Sequence, residues 1–452
     1  MIRLAGLAVL LTACRTSGPS PTGETPSRTT PPDGASTPLP VATATPAGTP
    51  TALLPPTPTP APALDPEDFP LSGTAYVLPL TIQHTTPTSA TLLFELDAPS
   101  AGVLVYGPAE GGPATLSAVD LPPAETRHQI TLEGLAPGTT YRAAVGLSEG
   151  EGLYTQPAFM GQPWGTVQFR TLPEEPPLRI GVIGDSGFGQ PVTFELAEEM
   201  ARHDLDFVLH TGDLVYRAFE NASPVEAYAL KWYLPFATLL RRMPVYPVVG
   251  NHDIEAASTW EGAPFYYYAF PPFPDPDFPP SAFEGRNQWY AFAWNDIQFL
   301  MLDTQTFFGE AGRAEQDAWL AERLADRRFA HTIPVFHVPP YSSGPHGATD
   351  SLPVRLVWGP LFEAVDVPLV LSGHDHDYER LLVNGITYVV SGGGSATIYE
   401  METLLEESQA AAQRAHFVLL EIAADRIVLS AIAPDGEVFD QAVIPLEAAT
   451  SD

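Results

Sequence analysis

Cysteine and positive charge are both scarce in this chain. Cys14 is the single cysteine of 452 residues, which excludes an internal disulfide, a zinc–thiolate site and a cysteine-ligated iron–sulfur cluster. Lys and Arg together number 21 against 54 Asp and Glu, a formal charge of −33. A field of that sign disfavours nucleic acid as a partner and an anionic membrane as a docking surface. The apolar run at the N-terminus covers about ten residues, far short of the ~20 that cross a bilayer. Proline is abundant, with 50 residues unevenly spread, and 44% hydrophobic content is enough for at least one large core. At about 150 residues per domain, the length suggests two or three domains.

Residues 1–14, MIRLAGLAVLLTAC, open with one cation, Arg3, and continue uncharged and apolar, which reads as an export signal. Leu11-Thr12-Ala13-Cys14 resembles the lipobox of bacterial lipoproteins. The resemblance implies lipid attachment at Cys14 and a chain exported and lipid-anchored to the bacterial cell envelope, touching a membrane through that anchor only. The alternative is an ordinary secretory signal with an incidental cysteine. Two or three acyl chains anchor stably where one is marginal. Residues 15–66 are dominated by Pro, Thr, Ser, Ala and Gly. Such a stretch cannot bury enough apolar surface to offset its ordering entropy, so a disordered spacer with a reach on the order of 100 Å is expected.

Between residues 67 and 173 the pattern changes to short β-rich runs punctuated by Gly and Pro. Ala75–Gln83, Ser89–Glu95, Gly102–Tyr106, His128–Leu132, Thr140–Val145 and Thr166–Thr171 are the candidate strands of an all-β antiparallel sandwich. The run from Leu132 to Tyr141, LEGLAPGTTY, resembles the turn-plus-tyrosine segment of fibronectin type III domains, in which a buried tyrosine hydroxyl bonds back to the chain. His84 and His128 have no partner pattern and are expected as surface or strand residues.

From Leu178 to residue 448 the pattern is α/β. Buried strands are expected at Leu178–Ile183, Asp206–His210, Val245–Val249, Asp296–Leu302, Ile333–His337 and Val367–Leu371. Helical spacing appears at Val192–Arg202, Val225–Arg242 and Ala314–Ala325. Five of the strands run into polar loops: Gly184-Asp185-Ser186-Gly187, Gly212-Asp213-Leu214-Val215-Tyr216, Gly250-Asn251-His252-Asp253, Phe336-His337-Val338-Pro339-Pro340 and Gly373-His374-Asp375-His376-Asp377. Apolar strands followed by such loops place the loops at one edge of a sheet, where α/β proteins keep their sites. Hard oxygen donors mixed with imidazoles suit iron, zinc or manganese and lack the thiolate of a copper(I) site.

These loops resemble those of the calcineurin-like metallophosphoesterases, and within them the purple acid phosphatases, over about residues 70 to 445. Most metallophosphoesterases carry Asp-x-His in the first loop. Here Gly187 takes the third position and Tyr216 stands in the second loop, the pairing of the purple acid phosphatase branch. The resemblance implies β-sheets sandwiched by helices and a dinuclear metal centre, Fe(III) plus a divalent ion (Zn, Fe or Mn). It assigns Asp185, Asp213, Tyr216 and His376 to the first metal. Asp213 bridges to the second, completed by Asn251, His337 and His374. The two cations would exceed the three anionic ligands by about two charges, a local positive well inside an acidic protein. Screening within ~10 Å at ordinary salt lets that well act at contact distance.

The activity implied is hydrolysis of phosphoric monoesters by hydroxide activated at the dinuclear centre, with small-molecule phosphate esters as partners. His252 matches the family histidine that binds phosphate and protonates the leaving oxygen. His346, nine residues after His337, resembles the substrate-side histidine of plant-type members. A phosphodiesterase or nucleotidase on the same metals is the alternative, and a non-catalytic surface adhesion module the alternative of another class. Glu379 and Arg380 are expected as a salt-linked loop brace. His203, His210, His331 and His416 match no motif position. Trp260–Phe283, rich in aromatics and proline, is either a rigid packing loop or a wall of the substrate cleft.

Overall fold

The computed structural model describes residues 59–60, 69–112, 115–148, 153–255, 265–275, 277–278 and 287–446. Cys14 and nearly all of the expected spacer lie outside these residues, as does much of the Trp260–Phe283 segment. No helix among the described residues is long and apolar enough to cross a membrane.

The first domain is all-β. Leu71–Thr85, Ser89–Leu96 and Arg127–Glu133 pair antiparallel, as do Ser117–Leu121, Gly102–Pro108, Thr140–Ser148 and Val167–Arg170. Tyr154–Phe159 joins the two groups by pairing with Thr140–Ser148 and Leu71–Thr85. Alternate residues of each group, such as Leu80, Ile82, Leu92 and Phe94 on one and Leu104, Tyr141, Ala143 and Phe169 on the other, share one buried core. The Tyr141 hydroxyl accepts the Ala136 N–H at 2.8 Å, which pins the turn before its strand.

The second domain has two sheets, as the family resemblance implies, where the strand pattern alone suggests one. One runs Val245–Pro247, Phe207–His210, Leu178–Ile183, Phe417–Ile422, Arg426–Ile432, Val438–Pro445. The other runs Tyr290–Trp294, Ile297–Met301, His331–Val335, Leu369–Ser372, Ile386–Ser391, Tyr378–Val383, Ser408–Ala412. Side-chain alternation explains the layering. Ile180, Val182, Phe207 and Leu209 of the first sheet share a core with Phe299, Ile333, Leu369 and Leu371 of the second. The intervening residues face outward. Ile183 and Val208 pack with helix Pro191–Met200 and the 224–240 segment, and Leu300 and Val370 with helices Arg313–Leu324 and Ser351–Glu363. The result is helices, sheet, sheet, helices. Each fully buried Val, Leu, Ile or Phe in these layers contributes about 1.5–3 kcal/mol.

The helix expected over Val225–Arg242 is broken into Pro224–Tyr228, a wide turn at Ala229–Tyr233 and Ala237–Leu240. Pro235 has no N–H to continue the ladder, and the Leu234 N–H reaches back five residues to the Ala229 carbonyl.

His84 is a strand residue but not a surface one. Its Nδ1 lies 2.8 Å from the Tyr246 hydroxyl and its Nε2 3.1 Å from Asp275, with Phe273 stacked on the ring. Together with Gln83 donating to the Pro271 carbonyl and Gln129 to that of Pro272, this seats the described part of the aromatic–proline segment against the β-domain. That is the packing role, one of the two expected for it.

Candidate metal centre

Parallel pairing sends five strand ends to one place: Leu178–Ile183, Phe207–His210 and Val245–Pro247 from the first sheet, His331–Val335 and Leu369–Ser372 from the second. The site therefore sits across the carboxyl edges of two sheets. Asp185, Asp213 and His374 hold left-handed backbone, φ 58°, 58° and 72°, a conformation that non-glycine residues keep only when their surroundings enforce it. Two glycines make room. A Cβ on Gly250 would lie 2.1 Å from Asp213 Oδ1, and one on Gly373 2.5 Å from Asp185 Oδ2.

All seven expected ligands converge. The Tyr216 hydroxyl lies 3.0 Å from Asp185 Oδ1 and 2.8 Å from His376 Nε2. Asp213 Oδ2 lies 3.4 Å from His337 Nε2, which is also 3.0 Å from Asn251 Oδ1 and 3.2 Å from His374 Nδ1. Donor atoms of Asp185, Asp213 and His337 all fall within 4.8 Å of one another.

The tautomers carry the chemistry. His337 Nδ1 donates to the Thr211 carbonyl at 2.8 Å and His376 Nδ1 to that of Thr397 at 2.7 Å. His374 is anchored through Nε2, 3.1 Å from Asp350 Oδ2. Each ring thus has one nitrogen fixed outward, leaving the other turned inward onto carboxylate, hydroxyl, amide or imidazole atoms. Lone pairs gathered this way repel one another unless a cation lies between them, so the residues fit a metal centre.

Ionisation agrees. Against burial, the Asp213 carboxylate, aided by Asp185, holds His337 protonated up to about 10. Burial opposes the Asp213 charge, but His337 and His252 keep that carboxyl well below its usual range. Burial, then Asp185 and Asp213, push the Tyr216 hydroxyl well above its ordinary value. A proton thus occupies the centre of the donor set, where a multivalent cation would displace it and favour a phenolate.

Of the two expected substrate-side histidines, His252 donates its backbone N–H to Asp213 Oδ1 at 2.9 Å, and its ring lies 4.4 Å from that of Tyr216. His346 sits at the rim, its ring 4.3 Å from His374. Glu379 does brace the loop, but not through Arg380. It accepts Ser343 N–H at 2.7 Å and Ser343 Oγ–H at 2.6 Å, while Arg380 pairs with Asp440 at 2.7 Å.

Several residues at the site escaped the sequence reading. Asp253 accepts the N–H groups of Gly250 and Asp213 at 2.9 Å, Leu214 at 2.8 Å and Val215 at 3.3 Å, locking two loops together. Asp375 receives the Ser342 hydroxyl and the His346 N–H. Tyr399 lies flat on His376, 4.2 Å away, and Phe188 on Tyr216, 3.9 Å away. Asp253 and Asp375 stand inside the motif loops, two residues from Asn251 and between the paired histidines, which is the only signal they offered.

Residues 178–378 match the calcineurin-like phosphoesterase family. Among curated relatives, an uncharacterized protein of Mycobacterium tuberculosis is 24% identical over 234 residues, 47% of this chain and 43% of its own. Purple acid phosphatase 4 of Arabidopsis thaliana is 28% identical over 244 residues, 47% of this chain and 67% of its own. The match thus spans under half the length of the mycobacterial relative. Among solved structures, the purple acid phosphatase PPD1 of yellow lupin (Lupinus luteus) superposes with a TM-score of 0.64 at 18% identity, covering 81% of this chain and 74% of that one. PhoD gives a TM-score of 0.58 at 11% identity, covering 82% and 88%; at these identities both show a shared fold alone. Residues 178–378 therefore form a calcineurin-like metallophosphoesterase domain with purple acid phosphatases among its relatives.

Proposed function

We propose that the chain hydrolyses phosphoric monoesters at a dinuclear metal centre held by Asp185, Asp213, Tyr216, Asn251, His337, His374 and His376. The observation that carries this reading is the set of imidazoles fixed outward at Thr211, Thr397 and Asp350, with the inward nitrogen of His337 on Asp213 and Asn251, that of His376 on Asp185, and that of His374 on His337. Metals bound there, Fe(III) beside Tyr216 and a divalent ion beside Asn251, supply water activation and charge neutralisation of a phosphoryl group. His252 and His346 flank that position. Each has donors to bind phosphoryl oxygens, and His252 hands a proton to the departing alkoxide. Phe188 and Tyr399, stacked on two of the ligands, limit water access around the rings.

The test is expression without residues 1–66, metal analysis, a visible spectrum and relative rates on p-nitrophenyl and bis-p-nitrophenyl phosphate. Two metals per chain, a charge-transfer band lost in Tyr216→Phe and faster monoester cleavage are expected. Faster diester cleavage makes the chain a phosphodiesterase, and fewer than two metals with no ester cleaved refutes the reading.

The same proposal includes export and lipidation at Cys14, supported by the placement of the only thiol directly after an apolar leader. A clickable fatty acid should label the wild type and not Cys14→Ala. The first domain is read as fibronectin type III-like, supported by the Tyr141 hydroxyl bonding back to Ala136.

A further inference from the structure

Asp350 directly precedes the Ser351–Glu363 helix, at the position where an aspartate ordinarily accepts a backbone N–H from the helix's first turn. Its side chain makes no such bond. The carboxylate instead turns away from the helix, and one oxygen, Oδ2, lies 3.1 Å from His374 Nε2 and 3.4 Å from His346 Nδ1. The two rings are 4.3 Å apart, tilted by 43°. One of these histidines has its other nitrogen, Nδ1, within 3.2 Å of His337 Nε2 at the heart of the donor cluster. The other is the exposed histidine at the rim, with 36% of its side-chain surface open to solvent. A single acceptor thus links the inner donor set to the substrate edge.

We propose that Asp350 is a positioning residue joining these two histidines: it accepts Nε2–H of His374, fixing the tautomer that leaves Nδ1 free for a metal, and with the same oxygen holds His346 beside it. The inference rests on the reading of the site as a metal centre. It assigns Asp350 no contact with substrate. Its two consequences are separable. Loss of the acceptor lets the His374 ring rotate and change tautomer, which weakens one metal. It also lets the His346 ring swing into solvent, which weakens substrate binding without touching the chemical step.

The experiment uses the full folded chain stripped of metal, with Zn²⁺ titrated calorimetrically into wild type, Asp350→Ala, Asp350→Asn and Asp350→Glu. Loss of a carboxylate partner from a metal-ligating histidine weakens affinity about ten- to a hundredfold, and that loss is expected for one of two zinc equivalents in Asp350→Ala. The metal-free melting temperature should stay within about 2 °C, because the carboxylate caps nothing. Asp350→Glu should recover most of the affinity. In zinc-saturated enzyme the KM for p-nitrophenyl phosphate should rise in Asp350→Ala, and adding His346→Ala should raise it no further. Asp350→Asn, which keeps the shape and removes the charge, carries the same readouts if Asp350→Ala does not fold. Unchanged zinc affinity in a folded variant, or fully additive KM effects, would overturn the proposal. So would a metal-free melting temperature that drops with Asp350→Ala, since that marks a structural cap. Zinc affinity is read without substrate, so a wild type that binds two zinc ions and cleaves no ester refutes the proposed activity while leaving this test intact.

Discussion

Lowering the pH from 8 to 5 should destabilise the metal-free chain by about 2 kcal/mol through His210 alone. This ring closes the strand Phe207–His210 and ties two site loops together. Its Nδ1 accepts the Gly212 N–H at 3.2 Å, and its Nε2–H donates to Ser186 Oγ at 2.8 Å. The first bond requires the neutral imidazole, since a protonated Nδ1 cannot accept. Burial pushes the ring from 6.5 down to about 3, despite Asp185 and Asp213 nearby. A folded-state value below the unfolded one contributes stability that is fully present above 6.5 and lost as pH falls toward 3. Between pH 6.5 and 5 the unfolded chain carries a proton there that the folded chain does not. That difference costs about 1.4 kcal/mol per pH unit, hence about 2 kcal/mol over the interval. Urea denaturation at both pH values, on wild type and on the never-charged His210→Gln, isolates the effect. His416, held down to about 4 by its burial, has the same sign but is common to both proteins and cancels. The wild type should lose about 2 kcal/mol more than the variant; equal losses would refute the linkage.

Other outcomes follow from the loops. Gly250→Ala would bring a Cβ to 2.1 Å from Asp213 Oδ1, so metal content should fall while far-ultraviolet circular dichroism is unchanged. His252→Ala keeps the backbone N–H that binds Asp213, so turnover should fall about a hundredfold or more at full metal content. Asp253→Ala orphans N–H groups of Gly250, Asp213, Leu214 and Val215, and denaturant unfolding should show a loss of about 4 kcal/mol or more.

The fold was legible where periodicity was strong and local. Leu178–Ile183 was read to its exact bounds, and Arg313–Leu324 to within one residue at each end. Division of the strands between two sheets was not legible. A strand buried on both faces reads the same whether its second face meets helices or another sheet, and here Val182 meets a sheet while its neighbour Ile183 meets helices. Ser117–Leu121 and Tyr154–Phe159 were missed because each is short and lacks clean alternation of apolar and polar residues.

At the site, sequence reveals the atoms that face inward but not those that hold them. The inward donors must be Asp, Asn, Tyr or His, so their identities carry information and the loops could be read. Two of the three imidazole anchors are backbone carbonyls, at Thr211 and Thr397, a role that any residue type can fill. The third, Asp350, sits in front of a helix, where an aspartate already has a common reason to be. Only the direction of its carboxylate, toward His374 and away from the helix, separates the two roles. The same reasoning applies to Asp253. Its place in Gly250-Asn251-His252-Asp253 is visible in the chain, but its four N–H partners are contributed by two loops that only the parallel pairing of Phe207–His210 with Val245–Pro247 brings side by side. What orients a ligand is therefore set by topology, and it becomes readable only once the strands are placed.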